Sequence, residues 1–257
     1  MARKTVSFFA VLAVLLSGAA AGQDGLDPKF YDEQRYETCI RLGRSAPDRA
    51  YEEARMWEIH GGGLPARHCV ALSLYGMGQY DDAATMLESV AQELPEDAPP
   101  ALRADILAQA AKSWEEVDEL ERAVANQTTA LELVPDSRAL LTDRALTLAL
   151  AGNYWEAIDD LNRVIELDPY DADAFVFRAS AYRFVDAPEL ALEDANQALL
   201  LDPEHPEGLL ERGNILRLAG DDAGARADWV KLVELHNGRP AADAAQRNLE
   251  IMDLDTR

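Results

Sequence analysis

Along this chain small and apolar residues return at a fixed spacing of 34, with polar residues in the same phase. Arg144-Ala145, Arg178-Ala179 and Arg212-Gly213 each begin the same pattern, and an alanine follows each twelve residues on, at Ala157, Ala191 and Ala225. Extended backwards, the register gives units starting at Leu64, Ala104, Arg138, Ala172 and Pro206. The eighth position of each is small (Ala71, Ala111, Ala145, Ala179, Gly213), and so is the twentieth (Ala83, Ala123, Ala157, Ala191, Ala225). Residues this small let two helices approach closely. Four units carry proline at position 32 (Pro95, Pro135, Pro169, Pro203), which stops a second helix and sets the entry to the next unit. A 34-residue unit cannot bury its own apolar face, so it has to stack on its neighbours. The pattern predicts an all-α solenoid of antiparallel helix pairs.

Together with Gly78-Gln79-Tyr80 and Gly152-Asn153-Tyr154 at positions 15 to 17, these features make the stretch from Leu64 to His236 resemble the tetratricopeptide repeat (TPR). The resemblance implies a right-handed superhelix and the following organisation. Residues 30–63 form a degenerate helix pair, with Pro47 opening its second helix and Gly61-Gly62-Gly63 ending it. Repeats occupy 64–97, 104–137, 138–171, 172–205 and 206–239, and a six-residue insertion, 98–103, carries Pro99-Pro100. A capping helix and tail fill 240–257, opened by Pro240. With no Gly/Ser linker dividing it, the chain reads as one array. Position 4, often tryptophan in the family, is Arg67 in the first repeat, the least typical of the five.

Residues 1–21 read as a secretory signal peptide: Arg3-Lys4, an apolar run from Val6 to Leu16, then Ser17-Gly18 and Ala19-Ala20-Ala21. Residues 22–29 would follow as a flexible N-terminus. The run is short for a membrane span and no cysteine follows it to take a lipid, so the expectation is an exported, non-inserted mature chain, periplasmic or secreted. An uncleaved anchor is the alternative. Loss of Arg3 and Lys4 would take the formal net charge from −23 to −25. Phosphate binding needs a concentrated basic face, so nucleic acid is not an expected partner.

The chain has two cysteines, Cys39 and Cys69. In an oxidising compartment such a pair invites a disulfide. In the resemblance both fall on first helices of adjacent units, which pack side by side. Free structural thiols and thiol chemistry are the alternatives. His60, His68 and Cys69 cluster in sequence but lack the four regularly spaced ligands of a zinc site, and no nucleophile motif or phosphate loop is present. The expectation is no metal, no cofactor and no catalysis. A metal-dependent enzyme built on these histidines is the remote alternative.

Two further sets of residues stand out. Arg144 with Asp160, Arg178 with Asp194 and Arg212 with Asp228 share a separation of 16, which suits a structural ion-pair ladder across each hairpin. The family binds peptides through positions 2, 5, 9, 12 and 13 of each first helix. Carried onto this sequence, those positions include Leu146, Leu150, Val176, Ser180, Arg183, Phe184, Asn214 and Arg217. Arg183 and Arg217 are expected to orient a polar or acidic group of a partner, unless inward acids such as Asp173 or Glu207 claim them. The function so implied is a protein- or peptide-binding module or assembly scaffold, with a structural subunit or homo-oligomer as the rival.

Overall fold

The structure is a computed structural model that describes residues 28–255; the signal-peptide reading of 1–21 lies outside them. Thirteen helices and their connecting turns make up the described chain. They are α1 (Pro28–Ser45), α2 (Pro47–Ile59), α3 (Gly63–Gly76), α4 (Tyr80–Glu93), α5 (Pro100–Glu115), α6 (Leu120–Leu133), α7 (Arg138–Leu150), α8 (Tyr154–Leu167), α9 (Ala172–Phe184), α10 (Pro188–Leu201), α11 (Pro206–Leu218), α12 (Asp222–His236) and α13 (Pro240–Asp255). The helix pairs follow the sequence register. Pro99-Pro100 extends α5 at its start instead of lengthening a loop, with Pro100 at a helix-opening position where no amide hydrogen is missed. Where the sequence reads as one array, the structure forms two compact units, divided between Pro135 and Asp136 at the close of the second repeat.

The first unit contains α1 to α6. Helices α1 and α3 pack side by side, with α2 and α4 behind them, and α5 and α6 complete the stack. Tyr36, Ala54, Trp57, Ala66, Val70 and Leu74 build a continuous core. A disulfide joins Cys39 on α1 to Cys69 on α3, with their Cα atoms 6.0 Å apart. Gly76 is held to glycine by this packing: a Cβ there would stand 2.5 Å from the Gly43 carbonyl oxygen and 2.9 Å from the Pro47 side chain.

The second unit contains α7 to α13, with α7, α9, α11 and α13 as the successive inner helices. Ser137, Asp171 and Asp221 cap α7, α9 and α12 by accepting from backbone amides three residues on. Helix α13 packs on α12 and α11, covering Trp229 and Leu232 with Ala242, Ala245 and Leu249. Asn248 donates to the Asn214 amide oxygen at 3.0 Å, and the 34-residue separation shows α13 standing where a sixth first helix would.

The small positions do what the pattern requires. All nine alanines at repeat positions 8 and 20 are completely buried. The turn inside each hairpin is equally regular. Position 15 is left-handed in all five repeats, with φ near +80° at Gly78, Gly152 and Gly220, and +61° and +59° at Asp118 and Asp186. The next residue's amide reaches back five positions at each turn, as Asn153 does to the Leu148 carbonyl at 2.8 Å.

Candidate functional site

In the second unit the arginine ladder forms as paired hydrogen bonds. Arg144 Nε and Nη2 donate to the two carboxylate oxygens of Asp160 at 2.8 and 2.6 Å. Arg178 does the same to Asp194 at 2.7 Å twice, and Arg212 to Asp228 at 2.7 Å twice. Each aspartate is buried. Hydrogen bonding to Asp160 and Asp228 raises the pKa of Arg144 and Arg212 against the opposing effect of burial. For Arg178, burial pulls downward, and the hydrogen bonds and charge of Asp194 outweigh it. Arg178 Nη1 also donates to Asn162 at 2.7 Å, and Arg212 Nη1 to Asn196 at 3.1 Å. Both asparagines belong to the second helix of the preceding repeat, so one guanidinium fastens its own hairpin and the one before it. The asparagines went unread in the sequence although they stand 34 residues apart.

The residues assigned to partner binding divide into three groups. Leu150 and Phe184 are exposed at the C-terminal ends of α7 and α9, and Leu146 is partly exposed on α7. Leu218, in the same register on α11, is exposed as well; the three terminal side chains form an apolar series with a 34-residue period. Phe184 stacks on Tyr154 with ring centroids 4.7 Å apart and planes 3° from parallel. Val176, by contrast, is buried with Phe175 and Ala198 and belongs to the core.

Arg183, Arg217, Ser180 and Asn214 form the third group, and their polar capacity is largely committed. Arg183 Nε donates to Glu211 on α11 at 2.5 Å, Nη2 donates to the other oxygen at 3.3 Å, and the Ser180 hydroxyl accepts at 3.4 Å. Glu211, not Asp173 or Glu207, is the inward acid that neutralises it. Arg217 Nη1 donates to Asp222 at 2.7 Å. Asn214 lies between Glu211 and Asn248. Leu150, Phe184 and Leu218 therefore leave apolar surface exposed at the ends of the first helices, as Trp155, Tyr170 and Leu200 do elsewhere in the second unit, while Arg183 and Arg217 hold neighbouring helices together.

In the first unit, α1, α3 and α5, with Pro47 of α2 and Leu87 of α4, line a cavity of about 730 Å³. Its wall includes Tyr36, Ile40, Leu72, Tyr75 and Leu87. A polar chain crosses the three helices: the Tyr36 hydroxyl donates to His68 Nδ1 at 2.5 Å, and His68 Nε2 donates to the Gln109 amide oxygen at 2.8 Å. This is the hydrogen-bond arrangement of a neutral imidazole, and burial lowers the His68 pKa. Burial also raises the Tyr36 phenol. Tyr75, hydrogen-bonded to Glu116, is pushed up to about 12, chiefly by burial.

The other histidines have local partners. His60 Nδ1 donates to the Met56 carbonyl, His205 caps α11 while touching Asp173, and His236 Nε2 donates to the Glu204 carbonyl. Among the described residues no three His, Cys, Asp or Glu side chains group as metal ligands, and no helix is long and apolar enough to cross a membrane.

The fold and its repeat geometry define a TPR protein. A tetratricopeptide-repeat profile matches residues 107–172 and 178–246, and a second matches 70–97; the chain belongs to the tetratricopeptide-repeat family. Human tetratricopeptide repeat protein 16 is 42% identical over 71 residues, which are 26% of this chain and 8% of that protein. The chain thus aligns to under a tenth of that relative's length. Bovine tetratricopeptide repeat protein 36 is 32% identical over 142 residues, 54% of this chain and 69% of that one. Among solved structures, YrrB, described as a TPR protein with an unusual peptide-binding site, superposes with a TM-score of 0.57 at 21% identity, covering 68% of this chain and 88% of its own. At that identity the likeness concerns the fold.

Proposed function

We propose that this protein is an exported interaction module that captures a segment of another protein on its first-helix faces. A TPR fold is a scaffold for protein–protein contact, and the peptide-binding site named for YrrB supports the same kind of role for this chain. The observation that carries the reading is the exposed series Leu150, Phe184 and Leu218 on three successive first helices. Apolar side chains in one register match a partner that supplies apolar anchors at regular intervals, whether a helix or an extended strand. Contact with these side chains supplies most of the affinity. The Arg183–Glu211 pair keeps the α9 and α11 faces in register and adds little net charge for steering.

Export rests on the leader-like residues 1–21 and on the pairing of Cys39 with Cys69, since disulfides persist in oxidising compartments. The test is a pull-down from envelope extract with the oxidised mature chain, run beside a Leu150→Ser, Phe184→Ser, Leu218→Ser variant. A partner retained by the native chain and lost by the variant is the expected result. Self-association alone, or a partner held equally by both, would replace capture with a structural-subunit role or move the site elsewhere.

A further inference from the structure

The first-unit cavity has a character separate from the second unit's apolar series. Its inner polar groups are already satisfied: the Tyr36 hydroxyl is spent on His68, His68 on Gln109, and the Tyr75 hydroxyl on Glu116 at 2.9 Å. What a ligand meets inside is mainly the apolar faces of Ile40, Leu72 and Leu87. At about 730 Å³ the space falls in the range of small-molecule pockets and is partly closed where Gly43, Gly76 and Pro47 meet.

Its rim has the opposite character. Arg44 and Lys112 both line the cavity and are exposed, and neither has an ion-pair or hydrogen-bond partner for its side-chain cation among the described residues. Elsewhere in the structure the arginines are widely neutralised, as at Arg67–Glu93, Arg144–Asp160, Arg178–Asp194 and Arg183–Glu211. Exposed Arg41, Arg239 and Arg247 are unspent in the same way, but Arg44 and Lys112 are the two that line this cavity, opposed there by Glu33. Long cationic side chains here reach solvent while their stems cover the cavity edge.

We propose that this cavity is a binding site for a small acidic amphiphile: an aliphatic or aromatic body enters between α1, α3 and α5, and its carboxylate stays at the rim with Arg44 and Lys112. Charge complementarity selects the head group, and burial of the apolar body supplies the affinity. The site is independent of protein capture by the second unit, so either function can fail without the other.

Isothermal titration of the oxidised full chain with octanoate, octylammonium, octanol and acetate tests this. Octanoate should bind saturably at one per chain, at least tenfold tighter than octylammonium or octanol, and acetate should show no saturable binding. Arg44→Glu with Lys112→Glu should weaken octanoate tenfold or more and narrow its advantage over octylammonium, with an unchanged circular-dichroism spectrum, because both residues are solvent-facing. Leu72→Trp, which places bulk in the cavity wall, should weaken octanoate and octanol together. Absence of saturable octanoate binding, equal binding of octanoate and octylammonium, or octanoate affinity unaltered by the charge reversal would overturn the proposal.

Discussion

Replacing Arg178 with alanine leaves Asp194, whose side chain is 7% exposed, without the two hydrogen bonds that offset its burial, and also strips Asn162 of its donor. Breaking a buried pair from one side typically costs about 3–5 kcal/mol, because an uncompensated charge remains. Arg178 itself keeps 18% of its side chain in solvent, so water reaches Asp194 once the guanidinium is gone. The expected loss is therefore about 2–4 kcal/mol. At roughly 2–4 °C per kcal/mol for a chain of this size, that is a fall in Tm on the order of 5–15 °C. The assay is thermal melting followed by circular dichroism, with amide exchange to show that α9 and α10 open first. Arg178→Ala with Asp194→Ala should recover part of the loss, because the orphaned charge is gone. Arg163→Ala, which removes exposed pairs to Asp136 and Glu166, should barely move the melt. An Arg178→Ala melt within 2 °C of the native chain would refute the ladder as a structural device.

Three further outcomes follow from particular contacts. Cys39→Ser with Cys69→Ser opens a bridge spanning 30 residues and should lower first-unit stability by about 3–4 kcal/mol, read as earlier amide exchange in α1 and α3 while α9 and α11 are unaffected. Gly213→Ala sets a Cβ 2.3 Å from the Trp229 indole nitrogen, so it should destabilise by about 1–3 kcal/mol, although every other repeat carries alanine there; adding Trp229→Leu should recover most of the loss in denaturant melts. Burial lowers the His68 pKa, so the unfolded chain takes up the proton first as pH falls through the ordinary histidine value near 6.5. First-unit stability should then be full above that value and decline as pH falls below it towards the folded pKa, and denaturant titrations of His68→Gln should lose this slope.

The features that recur in phase were legible in the sequence. Small residues at positions 8 and 20 announced close helix contact, and the Arg–Asp separation of 16 announced the ladder, because each appears several times at one spacing. The sequence did not reveal contacts that occur once. Glu211 lies 28 residues from Arg183 and the pair does not recur at the repeat spacing, so the arginine read as available to a partner when the next helix had claimed it. Val176 was misplaced for a related reason: position 5 faces inward in the repeat frame, but Phe175 and Ala198 pack around it here. The first-unit cavity was hidden because its walls come from five helices, α1 to α5, of which α1 and α2 lie outside the regular repeat register and α5 is displaced by the insertion. At position 15 the left-handed turn was legible as glycine in Gly78 and Gly152, whereas Asp118 and Asp186 adopt the same backbone without that mark.

Amide hydrogen exchange, compared between the free chain and the chain bound to a partner recovered in the pull-down, reads out which face makes the contact. New protection is expected at the C-terminal ends of α7, α9 and α11, around Leu150, Phe184 and Leu218, with α8, α10 and α12 unchanged. Protection confined to the second helices, or to the first unit alone, would contradict capture on the first-helix faces.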